Sequence, residues 1–322
     1  MGNNIIVVNN MNKQVKPNGG LPNTVKLASG SMFMQNNNLD VVQWQKYIEQ
    51  EIGFVLPNIQ MQWLTNAIES TATSNGLTTR QLWYQLSKDS ELRQQLLDKV
   101  LIHESRFFRH KPSIDFVTRY ALQHQQHVDP DVPFRIWSVG CASGQEVWSL
   151  AMSLAAARFS DYAILGTDVS EEAIKHAKLR RYDNRQKSLI PPECQQFVQP
   201  LSDQTGMTKS PLNHCSRVLD LANSMQAQWQ VASTLQPNVD FVLHNAIEQK
   251  PPTEHRQQVI ICQNMLLYFR KFDQRDILTR LSEQCALEGY IILAPGEALF
   301  WRPSNMRRVA HPQVNVWQKI SA

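Results

Sequence analysis

Apolar side chains recur at helical spacing from Leu39 onwards. The first predicted helix has an apolar face and stops at Gly53, a residue type that ends helices. Three more helical patterns follow, around Trp63, in TTRQLWYQL and in LRQQLLDKVLI. They predict a small N-terminal helical domain, which with its linker spans residues 39–115. Residues 1–38 are rich in Asn and Gly without any such period, which is typical of a mobile arm.

Past Pro133 the pattern changes to short apolar runs that alternate with helices. The predicted strands are FRIWSVG, AILGTDV, VDFVLHNA, VIICQNML and GYIILA, and the predicted helices are QEVWSLAMSLAAARF, EEAIKHAKLRR and FDQRDILTRLSEQCA. This alternation is typical of an α/β fold, a doubly wound, mostly parallel sheet with helices on both faces, which we assign to residues 116–322. Residues 181–238 break the rhythm with strand-like pieces such as SRVLDL and QWQVAS, which predicts an inserted β subdomain.

A glycine-rich turn, from Gly140 to Gly144, follows the first of these strands and opens the next helix. Glycine has no Cβ, so such a turn exposes backbone N–H groups to a ligand, and Gly140 is a predicted cofactor contact. The next strand ends on Asp168, where an acidic side chain can accept hydrogen bonds from both hydroxyls of a ribose. A helix N-cap is the alternative role for Asp168, but Ser170 is available for that.

Another strand, in ICQNMLLYF, ends at the same carboxyl edge of the sheet, where doubly wound folds bind their ligands. A pyrophosphate favours the longer GxGxxG motif, which the glycine turn lacks. S-adenosylmethionine carries an adenosine but no phosphate, so one glycine-rich turn and a ribose acid suffice for it. The pattern therefore favours this methyl donor over NAD as the cofactor.

Composition narrows the function classes. The 32 Lys and Arg residues nearly balance the 28 Asp and Glu residues without a concentrated basic run, which disfavours nucleic-acid binding. The five cysteines are scattered and never spaced as CxxC, so neither a disulfide framework nor a metal site is expected. No apolar run approaches the roughly 20 residues of a membrane span, and the first residues lack a secretion signal. We therefore expect a cytoplasmic protein that does not insert into membranes.

Four blocks of the sequence resemble the CheR chemotaxis receptor methyltransferases, and the likeness runs from about Leu39 to the last residue. The blocks are HESRFFRH, RIWSVGCASGQEVWSLAM, LGTDVSEEAIKHA and VIICQNMLLYF. Each block alone is weak, but all of them in the correct order and spacing are specific. The resemblance implies a Rossmann-like, S-adenosylmethionine-dependent enzyme that esterifies glutamate side chains in the cytoplasmic region of a methyl-accepting chemosensory receptor. We expect it to be a monomer.

The resemblance also implies site residues. Tyr268 matches the family's active-site tyrosine, and Arg109 can hold an acceptor carboxylate through a forked pair of hydrogen bonds. On spacing alone, Arg109 could equally be a surface residue and Tyr268 a core residue. A glutamate carboxylate is ionised at neutral pH, with a reference pKa of about 4.3, so the transfer needs no general base. The implied cofactor positions are His103, Ser105, Arg109, Glu146, Asp168, Asn245, Ala246, Cys262 and Gln263.

The chain departs from the family pattern at Gln263, where the family has arginine, and at Gln145, where it has glutamate. These departures keep a second hypothesis open, a non-catalytic CheR-like module that binds the cofactor or a partner. A third, a nucleic-acid methyltransferase, lacks the expected N/D-P-P-Y/F block. The predicted second helix, PNIQMQWLTNAIES, has no Lys or Arg where the family meets its receptor. Recognition is then expected through the insertion or through other basic residues, namely Arg80, Lys88, Arg93, Lys99 and Arg106.

Overall fold

The computed structural model describes residues 41–57, 60–101, 104–124, 132–201 and 228–321. The predicted arm, residues 1–38, lies outside this part of the chain. Residues 38–322 form one compact unit, and the domain boundaries drawn from the sequence stay predictions. None of the helices in the described ranges is long and apolar enough to cross a membrane.

Helices occupy the first described segments: α1 (Val41–Ile52), α2 (Met61–Ser74), α3 (Thr79–Gln85) and α4 (Ser90–Val100). Two of them begin at clear signals. Thr78 forms a capping box with Gln81 at the start of α3, and the Asp89 carboxylate accepts the Leu92 N–H at the start of α4. The apolar faces of the helices meet in one buried cluster, which includes Trp44, Ile48, Leu64, Leu82 and Leu96.

The rest of the described chain alternates strands with helices. The helices are α5 (Lys111–His124), α6 (Gln145–Ala156), α7 (Glu171–Leu179) and α8 (Lys271–Gln284). The strands are β1 (Phe134–Val139), β2 (Tyr162–Asp168), β3 (Arg181–Asp183), β4 (Val198–Pro200), β5 (Gln228–Val231), β6 (Val239–Leu243), β7 (Gln257–Cys262), β8 (Cys285–Leu293), β9 (Met306–Val309) and β10 (Asn315–Lys319).

The main sheet has seven strands in the order β6-β2-β1-β7-β8-β10-β9. The pairs from β6 to β8 are parallel, whereas β10 runs antiparallel to both β8 and β9. The chain order moves outward from β1 in one direction and then in the other, so the sheet is doubly wound. The predicted α/β fold with a mostly parallel sheet is confirmed. The sequence pattern did not predict α5, β9 or β10.

The insertion predicted after α7 contains a small sheet of its own. Strands β3, β5 and β4 pair antiparallel in that order. Its Tyr182 and Trp229 pack against Phe107, with ring centroids 4.8 and 5.1 Å away. The insertion is thereby anchored to the segment that precedes α5. Strand β5 lies in the predicted piece QWQVAS, and the piece SRVLDL lies outside the described residues.

Candidate active site

A cavity opens at the carboxyl ends of the parallel strands, the edge where doubly wound sheets bind ligands. Its empty volume, including the part open to solvent, is about 1010 Å³, enough for a ligand of nucleoside size. Part of the wall comes from the segment before α5, with Glu104, Ser105, Arg106 and Arg109, and another part from Ile52 at the end of α1 and Phe54 just after it. The strand ends contribute residues 139–142 from β1, 167–169 from β2, 244–246 from β6 and 263–265 from β7.

The loop from Gly140 to Gly144 joins β1 to α6. Its backbone has a positive φ at Gly140 (69°), Ala142 (48°) and Gly144 (86°), a conformation that glycine adopts without steric cost. A Cβ on Gly140 would lie 3.0 Å from the Met265 sulfur. One on Gly144 would lie 2.8 Å from the Ala177 Cβ. The glycines therefore let the loop lie against its neighbours, with Gly140 on the cavity wall.

Asp168 ends β2 on the cavity wall and is only 9% exposed. Its Oδ2 accepts the Ala142 N–H at 2.9 Å, and its Oδ1 accepts the Ser170 N–H at 3.0 Å. Ser170 is the N-cap of α7, because its Oγ accepts the Ala173 N–H at 3.0 Å. A carboxylate has about four lone-pair positions, so these bonds are compatible with further bonds to the hydroxyls of a ribose.

Glu146 lies in the first turn of α6 and contributes to the same wall. Its Oε1 accepts the Ser138 hydroxyl at 2.7 Å. Burial raises the pKa of Glu146 to about 7, opposed by the Ser138 hydrogen bond and the Arg109 charge and reinforced by the Glu297 carboxylate. An ammonium group bound beside Glu146 would favour its ionised form and lower this pKa.

Arg109 and Tyr268 reach the cavity from different elements. Arg109 precedes α5, and its Nη1 donates to the Glu104 carbonyl oxygen at 2.6 Å. Tyr268 ends a 3-10 turn that follows β7. Burial raises the pKa of the Tyr268 phenol, the Glu104 charge raises it further and the Arg109 charge lowers it. The phenol is therefore neutral at physiological pH and can donate a hydrogen bond near a fixed cation.

The other predicted site residues lie either on the cavity wall, away from it, or outside the described residues. Cys262 does not line the cavity. Its side chain is fully buried in the apolar cluster that includes Ile277 and Leu281 of α8, because side chains at the end of β7 alternate between faces. His103 lies outside the described residues. The cavity wall includes Ser105, Asn245, Ala246 and Gln263.

Gln263 stands where the resemblance predicts an arginine. Its Nε2 donates to the Ser113 Oγ at 3.0 Å and to the Leu293 carbonyl oxygen at 3.2 Å. A carbonyl oxygen only accepts hydrogen bonds, so the Leu293 contact fixes which end of the amide is the nitrogen. Gln263 thus brings no charge to the wall, whereas Arg106 and Arg109 do.

The apolar part of the wall was not predicted from the sequence. Phe54 is 4% exposed although it follows the end of α1. A large apolar side chain just beyond the helix-ending Gly53 was the available signal, since such a residue needs a partner outside its own helix. The other missed apolar wall residues include Ile52, Leu101, Val169, Met265 and Phe269.

Comparisons with known proteins show which family the chain belongs to. A family model described as CheR methyltransferase, SAM binding domain, matches residues 103–216 and 221–314. The chain belongs to the CheR methyltransferase family. Chemotaxis protein methyltransferase Cher2 of Pseudomonas putida is 22% identical over 288 residues, which cover 86% of this chain and 96% of that protein. The chemotaxis protein methyltransferase of Campylobacter jejuni is 27% identical over 238 residues, 72% of this chain and 78% of that protein.

Solved methyltransferase structures are also similar to this CheR chain, at low identity. Magnesium protoporphyrin IX methyltransferase from Synechocystis PCC 6803 with bound SAM is 12% identical, with a TM-score of 0.34 over 88% of this chain and 100% of that chain. The cofactor assignment depends on the family model and on the cavity itself.

The cavity of this CheR methyltransferase fits S-adenosylmethionine. Asp168 suits the ribose hydroxyls, and Glu146 suits the amino group of the methionine part. Gly140 lies on the same wall, and a Cβ there would meet the Met265 sulfur at 3.0 Å, so glycine suits this position. Within the described ranges, no group of at least three His, Cys, Asp or Glu side chains could hold a metal ion.

The affinity of the cavity for S-adenosylhomocysteine, which keeps the amino group, is expected to fall as the pH drops below about 7, the pKa of Glu146. In that range the carboxylate is protonated, and an ammonium group bound beside it must displace the proton. Above that pH the carboxylate is already ionised, so the affinity levels off. Between about pH 8 and about pH 6 we expect up to a tenfold change, roughly the effect of one proton.

Calorimetric titration across this pH range checks the expectation. Glu146→Gln should bind more weakly at the higher pH and show a nearly flat profile. Glu297→Gln is the comparison variant, because it replaces a neighbouring, partly buried acid that does not line the cavity. The pH dependence should persist in it with a midpoint at lower pH, since the Glu297 charge helps to raise the pKa of Glu146. A pH dependence that persists undiminished in Glu146→Gln would assign it to another group.

Proposed function

We propose that this CheR methyltransferase esterifies glutamate side chains in the cytoplasmic region of a methyl-accepting chemosensory receptor. The main support is the placement of Arg109 and Tyr268 on the wall of the cavity that also holds Asp168 and Glu146. A guanidinium beside a neutral phenol matches an acceptor with a negative charge and two oxygen atoms. The similar proteins are chemotaxis protein methyltransferases, which supports the chemosensory setting.

Methyl transfer to a carboxylate mainly requires that the attacking oxygen is aligned with the methyl carbon and the sulfur. When bound, S-adenosylmethionine supplies a methyl group on a positively charged sulfur, which keeps the electron pair of the bond that breaks. The acceptor carboxylate is ionised at neutral pH, with a reference pKa of about 4.3, so no side chain has to remove a proton. Arg109 holds the carboxylate, and the Tyr268 hydroxyl orients the attacking oxygen. Phe54 and Phe269 on the same wall exclude water that would solvate this nucleophile.

The proposal is tested with methyl-tritiated S-adenosylmethionine and membranes that bear a methyl-accepting chemosensory receptor. The receptor should become labelled, and mild base should release the label as methanol, because carboxyl esters hydrolyse under these conditions. Membranes without the receptor and purified nucleic acid serve as controls. Label in the nucleic acid, or base-stable label in the receptor, would overturn the proposed substrate class.

A non-catalytic module remains the second candidate, and Gln263 is the observation that favours it. Its amide is neutral, and its nitrogen is occupied by Ser113 and Leu293, so a charge implied by the resemblance is missing from this position. A non-catalytic module should bind S-adenosylhomocysteine in calorimetry and still label no receptor. Receptor labelling that depends on Tyr268 would exclude this candidate.

Recognition of an acidic receptor is expected to depend on a lysine of α4. Helix α2 has no Lys or Arg, but Lys99 lies beside it, since its Nζ donates to the Ser70 Oγ at 3.1 Å and the Ser74 Oγ at 3.2 Å. Lys99→Gln should weaken receptor binding at low salt and matter little at high salt, because exposed charges are screened over about 8 Å at physiological ionic strength.

Receptor affinity measured from low to high salt, for the wild type and Lys99→Gln, checks this role. Lys250→Gln changes an exposed lysine between β6 and β7, outside both α4 and the insertion, and is the matched control. A second variant lacks residues 201–224. If Lys99→Gln binds like the wild type at every salt concentration and the deletion abolishes binding, recognition belongs to the insertion instead.

A further inference from the structure

The segment that follows α1 packs directly on the turn that carries Tyr268. The Phe54 ring stacks on the Tyr268 ring, with centroids 4.5 Å apart and planes inclined by 25°. The next residue, Val55, donates its N–H to the Tyr268 carbonyl oxygen at 2.8 Å. Two consecutive residues therefore hold both the side chain and the backbone of Tyr268.

Gly53 makes this close contact possible. Its φ is +73°, and a Cβ at this position would lie 2.8 Å from Phe269 Cε1 and 2.9 Å from Ile247 Cγ2. Any other residue would force the segment away from the turn. The glycine that ends α1 thus also brings Phe54 onto Tyr268.

Two further contacts from α1 hold the same junction. Arg270 lies two positions after Tyr268, and its guanidinium pairs with both oxygens of the Glu49 carboxylate. The Glu51 carbonyl oxygen accepts the Asn245 Nδ2 hydrogen at 2.9 Å. The end of α1 is therefore fixed to the segments that follow both β6 and β7, which are separate parts of the cavity wall.

We propose that Phe54 is a positioning residue for methyl transfer, whose ring sets the orientation of the Tyr268 phenol toward the acceptor carboxylate. The inference rests on the proposed role of Tyr268. Phe54 is 4% exposed and lies on the cavity wall, so its ring can restrict the phenol without blocking the cavity. A flat aromatic face limits the tilt of a stacked ring. An aliphatic side chain fills the same space but leaves the phenol more rotational freedom.

Phe54→Leu is expected to lower kcat for receptor methylation by about tenfold, because a misplaced aligning group costs rate steeply. The KM for the methyl donor and the affinity for S-adenosylhomocysteine should change by less than about twofold, since the cofactor positions are untouched. Phe54→Tyr keeps an aromatic ring at this position and should therefore retain most of the wild-type kcat. Leu82→Ala is the matched control, because Leu82 is fully buried in the same apolar cluster on α3, which contributes nothing to the described wall. It should lower the melting temperature and leave kcat unchanged at a temperature where it is folded.

A double-mutant cycle separates this inference from the proposed function. If Phe54 acts through the Tyr268 hydroxyl, Phe54→Leu should cause no further loss in a Tyr268→Phe background. An equal loss in both backgrounds overturns the positioning role while the role of Tyr268 stands. Normal turnover by Tyr268→Phe overturns the proposed role of Tyr268, and the inference with it.

A readout without turnover uses carbon-13 labelled tyrosine in the full chain. The Tyr268 ring signal is assigned by its loss in Tyr268→Phe. It should be sharp in the wild type, broadened or doubled in Phe54→Leu, and unchanged in Leu82→Ala. If Phe54→Leu does not fold, Phe54→Met is measured instead. A Tyr268 signal that stays sharp and single without an aromatic residue at position 54 overturns the inference.

Discussion

Replacing Arg109 by alanine is expected to lower kcat/KM for receptor methylation by about 100-fold. A loss of this size is expected because misplacing a reacting group by about 1 Å can slow a reaction about 100-fold. Arg109 lines the cavity, and its charge lowers the pKa of both Tyr268 and Glu146. Without it the acceptor carboxylate loses a forked hydrogen-bond partner. The Glu146 pKa should also rise, so affinity for S-adenosylhomocysteine should fall, although by less than the rate. Initial rates and calorimetry at about pH 8, above the Glu146 pKa of about 7, separate the two effects.

Two variants control this result. Arg109→Lys keeps the charge but not the fork, so its rate should lie between those of the wild type and Arg109→Ala. Arg119→Ala removes an exposed arginine from α5 that does not line the cavity, and it should be fully active. Equal losses of rate and cofactor affinity in Arg109→Ala would place the guanidinium on the cofactor rather than on the acceptor.

The fold is predictable from the sequence wherever burial leaves an unbroken apolar run. The last four residues of β7 are all buried, and so are the last four of β1. Both strands are therefore recognisable in the sequence as short apolar segments between polar ones. Strand β9 is different, because Arg307 and Arg308 face solvent at the edge of the sheet and leave no apolar run. Helix α5 buries Ile114, Val117 and Ala121 at helical spacing, a narrow stripe among polar residues.

The site residues are predictable only where they belong to recognisable sequence motifs and the sheet topology brings those motifs together. Asp168 ends one strand and Gly140 follows another, and the parallel sheet brings such strand ends to one edge. Cys262 is adjacent to Gln263 in the same motif, but neighbouring residues at the end of a strand face opposite sides of the sheet. The motif does not show which of the two side chains faces the cavity. Phe54 lies far from Tyr268 in the sequence, so no periodicity could have predicted their stacking.

Asp168→Ala is expected to weaken binding of S-adenosylhomocysteine by about 1.5–3 kcal/mol, the cost of losing hydrogen bonds to a charged group, or roughly 10- to 100-fold in affinity. The carboxylate also accepts the Ala142 and Ser170 N–H groups at 2.9 and 3.0 Å. Part of the loss could therefore come from a disturbed glycine loop. Asp168→Asn addresses this, because its amide oxygen can still accept one of these N–H groups while the charge is gone.

The ligand itself provides the sharper control. An analogue of S-adenosylhomocysteine without the ribose 2′-hydroxyl should bind the wild type more weakly than the parent compound does. If Asp168 accepts that hydroxyl, this difference should largely disappear in Asp168→Ala, since the coupling between two groups in contact is lost with either of them. Calorimetric titration of both ligands against both proteins measures the coupling directly. Equal weakening of both ligands by the substitution would mean that Asp168 acts through the loop at Ala142 and not on the ribose.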